Sequence, residues 1–401
     1  MRDKTKLSAR RNAATADTSR RPNLPRPAVS IAVAVAIQCG EQLKARAEDH
    51  LDYKYEAYLE EKGRIQIHTH SALLEKNIAT WLNLKAEFVY DGISGATPTG
   101  GPPLPGSSQV PTAEIDDVRR AGYFEPAFRY GLHTTTPQFA YSLESDYESI
   151  GLSLNHSIDF NEKNTTLTVG AAHNFDTIMP TFWADGQHKD SDDFLIGLTQ
   201  VLSPRTLFTA NLTLGTARGY LSDPYKGFRF DGYPDPTTLF TEQRPGHKTK
   251  QIAYAALTQF VDPANASAEL SYRFYHDSFG IFSHTAALTW FQKIGKHVVL
   301  SPTFRYYDQT AASFYKLRSP GDPSDPESWP DLVFPEFYSA DYRLAALSTF
   351  TYGLGVTVKV HKALSFDAAY KRYEMHGHDR VTAASNFPVA NIYTIGFRLW
   401  F

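Results

Sequence analysis

Glu144, Asp146 and Glu148 are the first residues in this chain whose types and spacing suggest chemistry. On an extended strand, side chains two positions apart share a face. Three carboxylates placed that way offer hard oxygen ligands to a divalent cation. Without a cation, or Arg and Lys from a neighbour, their like charges repel; the plainer reading is a solvated acidic rim. His68 and His70 repeat the two-residue spacing and could share a metal through their imidazoles. Glu374, His376, His378 and Asp379 cluster near the other end of the chain. Neither set supplies a third ligand at a diagnostic spacing, so solvated histidines are the simpler expectation, and no cofactor or resident metal is predicted. His284 beside Ser283, and His156, fall on apolar faces but belong to no hydrolytic motif. No enzyme is expected.

The elements that must position these groups are short strands with strict alternation. In Ala268–Asp277, the apolar Ala268, Leu270, Tyr272 and Phe274 alternate with Glu269, Ser271, Arg273, Tyr275 and Asp277. Such a segment has one greasy face and one polar face. The same pattern recurs at Phe208–Gly215, Val298–Tyr307, Tyr352–Val360 and Leu364–Lys371. The polar face carries charges at mid-strand, which a packed soluble sandwich would not tolerate. The apolar face carries aromatics near segment ends, as membrane-interface girdles do. The pattern predicts an all-β transmembrane antiparallel barrel of about 14 strands, with 12 possible. Short periplasmic turns alternate with long outer loops at 92–146, 217–248 and 311–341. An even count places both termini on the periplasmic side.

Composition agrees. Hydrophobic residues make up 42%, with 26 Phe and 23 Tyr but only 3 Met and 1 Cys, and the mean hydropathy is −0.37. The longest apolar run, 28–37, is too short for a membrane-spanning helix, which needs roughly 20 residues. The first 47 residues hold a basic stretch, that apolar run and Ala45-Arg46-Ala47, the three parts of an export signal. Residues 1–47 are therefore expected to be removed near Ala47, leaving 48–401 as the barrel. That part has no cysteine and a formal net charge of −10, which argues against thiol chemistry and nucleic-acid binding. At the C-terminus, Tyr393, Ile395, Phe397, Leu399 and Phe401 share one face and the chain stops on Phe. This ending resembles the signal by which barrel-assembly machinery reads a last strand.

Three stretches, Tyr53–Tyr58, Asp91-Gly92-Ile93-Ser94-Gly95-Ala96-Thr97-Pro98 and Glu144–Ser149, resemble a bacterial family catalogued as domain of unknown function 3570. The resemblance runs over essentially the whole of 48–401, and the string from Asp91 to Pro98 is its most specific part. It implies an outer-membrane protein, with a weak hint of periplasmic redox context, and carries no activity. From the residues alone, Asp91–Pro98 opens the longest loop, either as a constriction folded into the mouth or as a turn fixing the loop's exit.

The inward set would then carry function: Lys85, Glu87, Asp91, Asp159, Asn211, Glu269, Arg273, Arg305, Lys359, Lys371 and Arg398, together with Lys54, Glu56, Arg64, His68, Asn155 and Asp367. The expected function is a monomeric, porin-like diffusion channel for small polar solutes, leaning toward cations through its acidic excess. The alternative from another class is a closed barrel serving as partner to a periplasmic redox or metal-handling system. The expected partners are outer-membrane lipid and the assembly machinery.

Overall fold

The structure, a computed structural model, describes residues 49–103, 106–179, 186–235, 237–325 and 335–401. The expected export signal at 1–47 lies outside the described residues. Among the described residues nineteen strands follow in chain order. Sixteen of them form one closed antiparallel ring: β1 (His50–Glu60), β2 (Gln66–Ala79), β3 (Leu82–Pro98), β4 (Thr112–Tyr130), β5 (His133–Leu143), β6 (Tyr147–Phe160), β7 (Thr165–Ile178), β8 (Gln187–Ser203), β9 (Thr206–Gly219), β12 (His247–Val261), β13 (Ala266–Asp277), β14 (Phe282–Ile294), β15 (Val298–Gln309), β17 (Leu347–His361), β18 (Leu364–Gly377) and β19 (Val389–Trp400). The other three, β10 (Gly227–Phe230), β11 (Phe240–Thr241) and β16 (Arg318–Ser319), form a small sheet within the connections. The ring closes where β1 pairs with β19 from His50↔Trp400 to Glu60↔Ala390.

Closure follows from the alternation. Large apolar side chains such as Phe88, Phe124, Phe139, Leu152, Phe194, Leu270 and Phe304 stand exposed on the outside, where lipid rather than water covers them. A sheet facing lipid must leave no backbone group unpaired, and a closed ring meets that condition. No helix among the described residues is long and apolar enough to cross a membrane; the crossing is by strands.

The fourteen strands expected from the sequence are all present, but two more sit in the stretch expected to be the longest loop. Residues 92–146 contain the end of β3, all of β4 and all of β5. Proline explains why these two are hard to see. It has no N–H for the ladder and usually argues against a central strand. Between β4 and β5 the register runs down to Phe124↔Phe139 and resumes at Phe128↔Thr135, and the skipped stretch holds Pro126 and Pro137. Gln138 Nε2 donates to Glu125 Oε2 across the skip at 2.9 Å. A second skip lies between β14 and β15, from Thr289↔Thr303 to Gln292↔Leu300, on a strand that carries Pro302. Away from the turns, the other ladders run without a break among the described residues.

One end of the ring carries only short turns, at 80–81, 131–132, 161–164, 204–205, 262–265, 295–297 and 362–363. The start of β1 and the end of β19 both lie there, as an even count requires. The other end, the mouth, mixes short turns at 61–65, 144–146 and 278–281 with long connections at 99–111, 220–246, 310–346 and 378–388. β10 and β16, rooted in different long connections, pair in parallel through Arg229↔Arg318 and Phe230↔Ser319.

Candidate functional site

The long connections fold together across the mouth. In ring order β3 lies six strands from β9 and five from β17, so contacts among their connections span a large part of the opening. Such contacts are numerous. The Lys226 ammonium donates to the Pro98 carbonyl at 2.6 Å and the Thr97 hydroxyl at 3.3 Å. The Gly227 amide donates to the Thr99 carbonyl at 2.6 Å. Phe228, Phe230, Tyr338 and Ala340 form a buried cluster with Phe240 packed against it, and Phe228 lies 4.6 Å from Tyr338 between ring centroids.

Charges lock this arrangement. Asp341, 1% exposed, receives Arg244 Nη2 at 2.8 Å and Arg343 Nε at 2.9 Å. Arg343 also holds Asp223. Arg244 Nε lies 2.6 Å from Glu242, and the Ser339 hydroxyl donates to Glu242. Asp223, Glu242 and Arg244 come from the β9–β12 connection, whereas Asp341 and Arg343 come from the β15–β17 connection. Burial would raise Asp341's carboxyl, but Arg343 and Arg244 hold it well below the usual carboxylate range. Burial raises the Glu242 carboxyl, and Asp341 and Asp223 add to the shift against the pull of Arg244. Sequence spacing gave no sign of this network, because its members lie about a hundred residues apart.

The string Asp91–Pro98 is not a loop as expected; it is the mouth end of β3. Asp91 is buried and accepts from Arg119 Nε and the Thr69 hydroxyl, both at 2.6 Å. Gly95 has φ +111, and a Cβ there would collide with the Arg64 carbonyl. Thr97 and Pro98 receive Lys226. The string therefore works as the anchor for a connection arriving from another part of the ring. Arg64, expected in the lumen, sits in the β1–β2 turn and donates to the carbonyls of Ser385 and Asn386 at 2.8 and 3.0 Å.

On the strands, Lys85, Glu87, Asp159, Asn211, Glu269, Arg273, Arg305, Lys359, Lys371 and Arg398 stand on the face opposite the exposed apolar residues, toward the lumen. Two walls differ. Arg273 and Arg305 lie over the Tyr275 and Tyr307 rings, 5.4 and 5.7 Å from their centroids, and among the described residues no ion pair with a carboxylate holds either one. Across the ring, β2, β3 and β4 present Glu75, Glu87 and Glu125. Elsewhere charges pair locally: Arg398 grips Asp52 with two bonds of 2.6 Å, and Lys250 holds Asp193 at 2.8 Å. Lys359 lies 4.9 Å from the Trp400 ring centroid.

His68 is not a lumen residue. With His70 it stands on the outer face, where their Nδ1 atoms meet the hydroxyls of Tyr55 and Tyr53, each at 2.8 Å; the even positions of β2 point the same way as the exposed Leu74 and Ile78. His284 likewise meets the Tyr272 hydroxyl outside, while neighbouring Ser283 is buried. His156 meets His133. The C-terminal cluster partly disperses: Glu374 takes Tyr352 and Arg372 and keeps His376 at 3.7 Å, while His378 takes Asp308 and Asp379 caps its own turn. Tyr393, Ile395, Phe397 and Leu399 share the outward face of β19, which pairs with β1, and Phe401 follows the strand, fully at the surface.

The three carboxylates also part company. Glu148 accepts from the exposed Tyr141 hydroxyl at 2.9 Å, whereas Glu144 and Asp146 turn the other way, toward Asp117 of β4. Ligand oxygens of Asp117, Glu144 and Asp146 lie within 4.8 Å of one another. Burial pushes Glu144 up to about 8, with Asp117 and Asp146 adding repulsion against the pull of Arg119. Burial and Asp117 push Asp146 up to about 7. Alternation pointed to Glu144 and Asp146, but Asp117 lay unseen in an unrecognised strand.

Solved structures with a similar course include CdiB from Acinetobacter baumannii, with 8% identity and a TM-score of 0.50, covering 88% of this chain and 61% of that one. A bacterial polysaccharide outer membrane secretin matches with 7% identity and a TM-score of 0.48 over 89% of this chain and 100% of that one. OmpT, an outer membrane protein of Vibrio cholerae, matches with 10% identity and a TM-score of 0.40, over 90% and 100% of the two chains. At such identity the likeness to CdiB concerns the fold alone. No curated protein matches the chain. The family described as Protein of unknown function (DUF3570) matches residues 27–135, 107–190 and 181–386, and this closed β-barrel belongs to it.

Proposed function

We propose that the protein is a diffusion channel of the bacterial outer membrane for small polar solutes, narrowed at its mouth by its own long connections. The observation that carries this reading is the inward face. Charged and hydroxyl side chains line it at mid-strand, and sixteen strands fall in the range where barrels leave an aqueous channel. Charges of both signs line it, with Arg273, Arg305 and Glu269 on one side and Glu75, Glu87, Glu125 and Lys85 on the other. A field across the lumen orients dipolar solutes and sets selectivity through the least screened charges.

A second reading, a closed barrel acting as partner of a periplasmic system, draws on the crossing of the mouth by welded connections. Conductance of the refolded barrel in a planar bilayer separates the two. Stable open steps are expected for the channel, and a folded but silent barrel would favour the closed form.

A further inference from the structure

We infer that Asp117, Glu144 and Asp146 form a binding site for a hard divalent cation at the mouth, fastening the β5–β6 turn to β4. Proximity of three carboxylates alone would not carry this. The second observation is that Glu144, 5% exposed, has no hydrogen-bond partner for its buried Oε2, and Asp146 has none for its buried Oδ1. Both oxygens belong to side chains gathered with Asp117, and oxygens this buried are almost always satisfied.

Arg119 is the cation whose charge acts on Glu144, and its Nε is taken up by Asp91 at 2.6 Å. Asp91 and Asp223, from β3 and the β9–β12 connection, add negative charge. Asp117 is fixed in place beforehand. Its Oδ1 accepts from the Val118 amide at 2.7 Å and the Ser145 amide at 3.3 Å, and its Oδ2 accepts from the Ser145 hydroxyl at 3.0 Å. The same hydrogen bonds hold the turn that carries the other two carboxylates. Oxygens of a Ca²⁺ shell lie about 2.3–2.6 Å from the ion, so oxygens within 4.8 Å of one another fit around one such ion. Among the described residues this is the one group of three or more such side chains so close together.

The inference does not depend on whether the lumen conducts. It is tested with the refolded full-length barrel in detergent, stripped with a chelator and titrated with Ca²⁺ alone in a calorimeter. Saturable binding at one site is expected, with a dissociation constant of about 10⁻⁴ to 10⁻³ M, the range of extracellular calcium modules. Glu144→Gln and Asp117→Asn should each weaken it at least about tenfold, since a ligand charge is lost. Glu148→Gln should leave it unchanged, because that carboxylate faces outward. Heat-dependent migration on a gel checks that each variant is folded. A folded wild-type barrel that takes up no Ca²⁺, or one whose binding survives Glu144→Gln, would overturn the inference.

Discussion

At the scale of single residues, the selectivity of the proposed channel would rest on which inward charges are left without a counter-charge. Some charges of the inward face pair locally, as Arg398 and Asp52 do. Arg273 and Arg305 lie instead over tyrosine rings, which attract a cation without cancelling its charge. The acidic excess of the chain leans toward cations, whereas Arg273 and Arg305 would pull the proposed channel toward anions. Reversing both residues, in Arg273→Glu with Arg305→Glu, should move the reversal potential measured under a salt gradient toward cation selectivity. An unchanged potential would mean that ions pass elsewhere or not at all. The buried network at the mouth follows a different logic. Removing one partner of a buried ion pair typically costs about 3–5 kcal/mol, so Asp341, which two arginines share, is the residue on which the crossing most depends.

At the scale of elements, the string Asp91–Pro98 shows what local sequence says and what it hides. Two of its glycines have different jobs. Gly95 holds φ +111 under the Arg64 carbonyl, whereas a Cβ on Gly92 would meet nothing within 4 Å. Gly95→Ala should destabilise the barrel by about 1–3 kcal/mol, the usual cost of forcing a side chain into such a conformation, and Gly92→Ala should be nearly neutral. Thermal unfolding of the two variants side by side makes the comparison, and equal effects would remove Gly95's special role. Fourteen strands and the inward residues on them were legible because alternation with period two is local. β4 and β5 were not, since Pro126 and Pro137 break the usual strand signature. The turn of His68 toward lipid was hidden as well, because the parity of β2 is fixed by its partners and not by the polarity of a histidine. Asp117 was missed for the same reason as β4.

At the scale of the whole molecule, the two breaks in the ladder sit half a ring apart. Eight strands run from β5 to β14 on one side, and eight run from β15 through β19 and β1 to β4 on the other. Backbone amides beside the breaks, at Phe124, Phe128, Thr135 and Phe139, should exchange with deuterium faster than amides midway along β7 or β13. Uniform protection around the ring would show that the prolines are bridged. Were the ring to yield along these two lines, it would behave as a clasp of two half-shells, flattening to an oval under lateral pressure from the lipid more easily than its strands shear. The mouth opposes that motion. Asp223, Glu242 and Arg244 hang from one half-shell, and Asp341 and Arg343 hang from the other, so their ion pairs form a buckle across the clasp. Lys226 gripping Thr97 and Pro98 is a second fastening between the same halves. Release of the buckle would therefore soften the whole cylinder, and the cross-section of this barrel is governed from its rim.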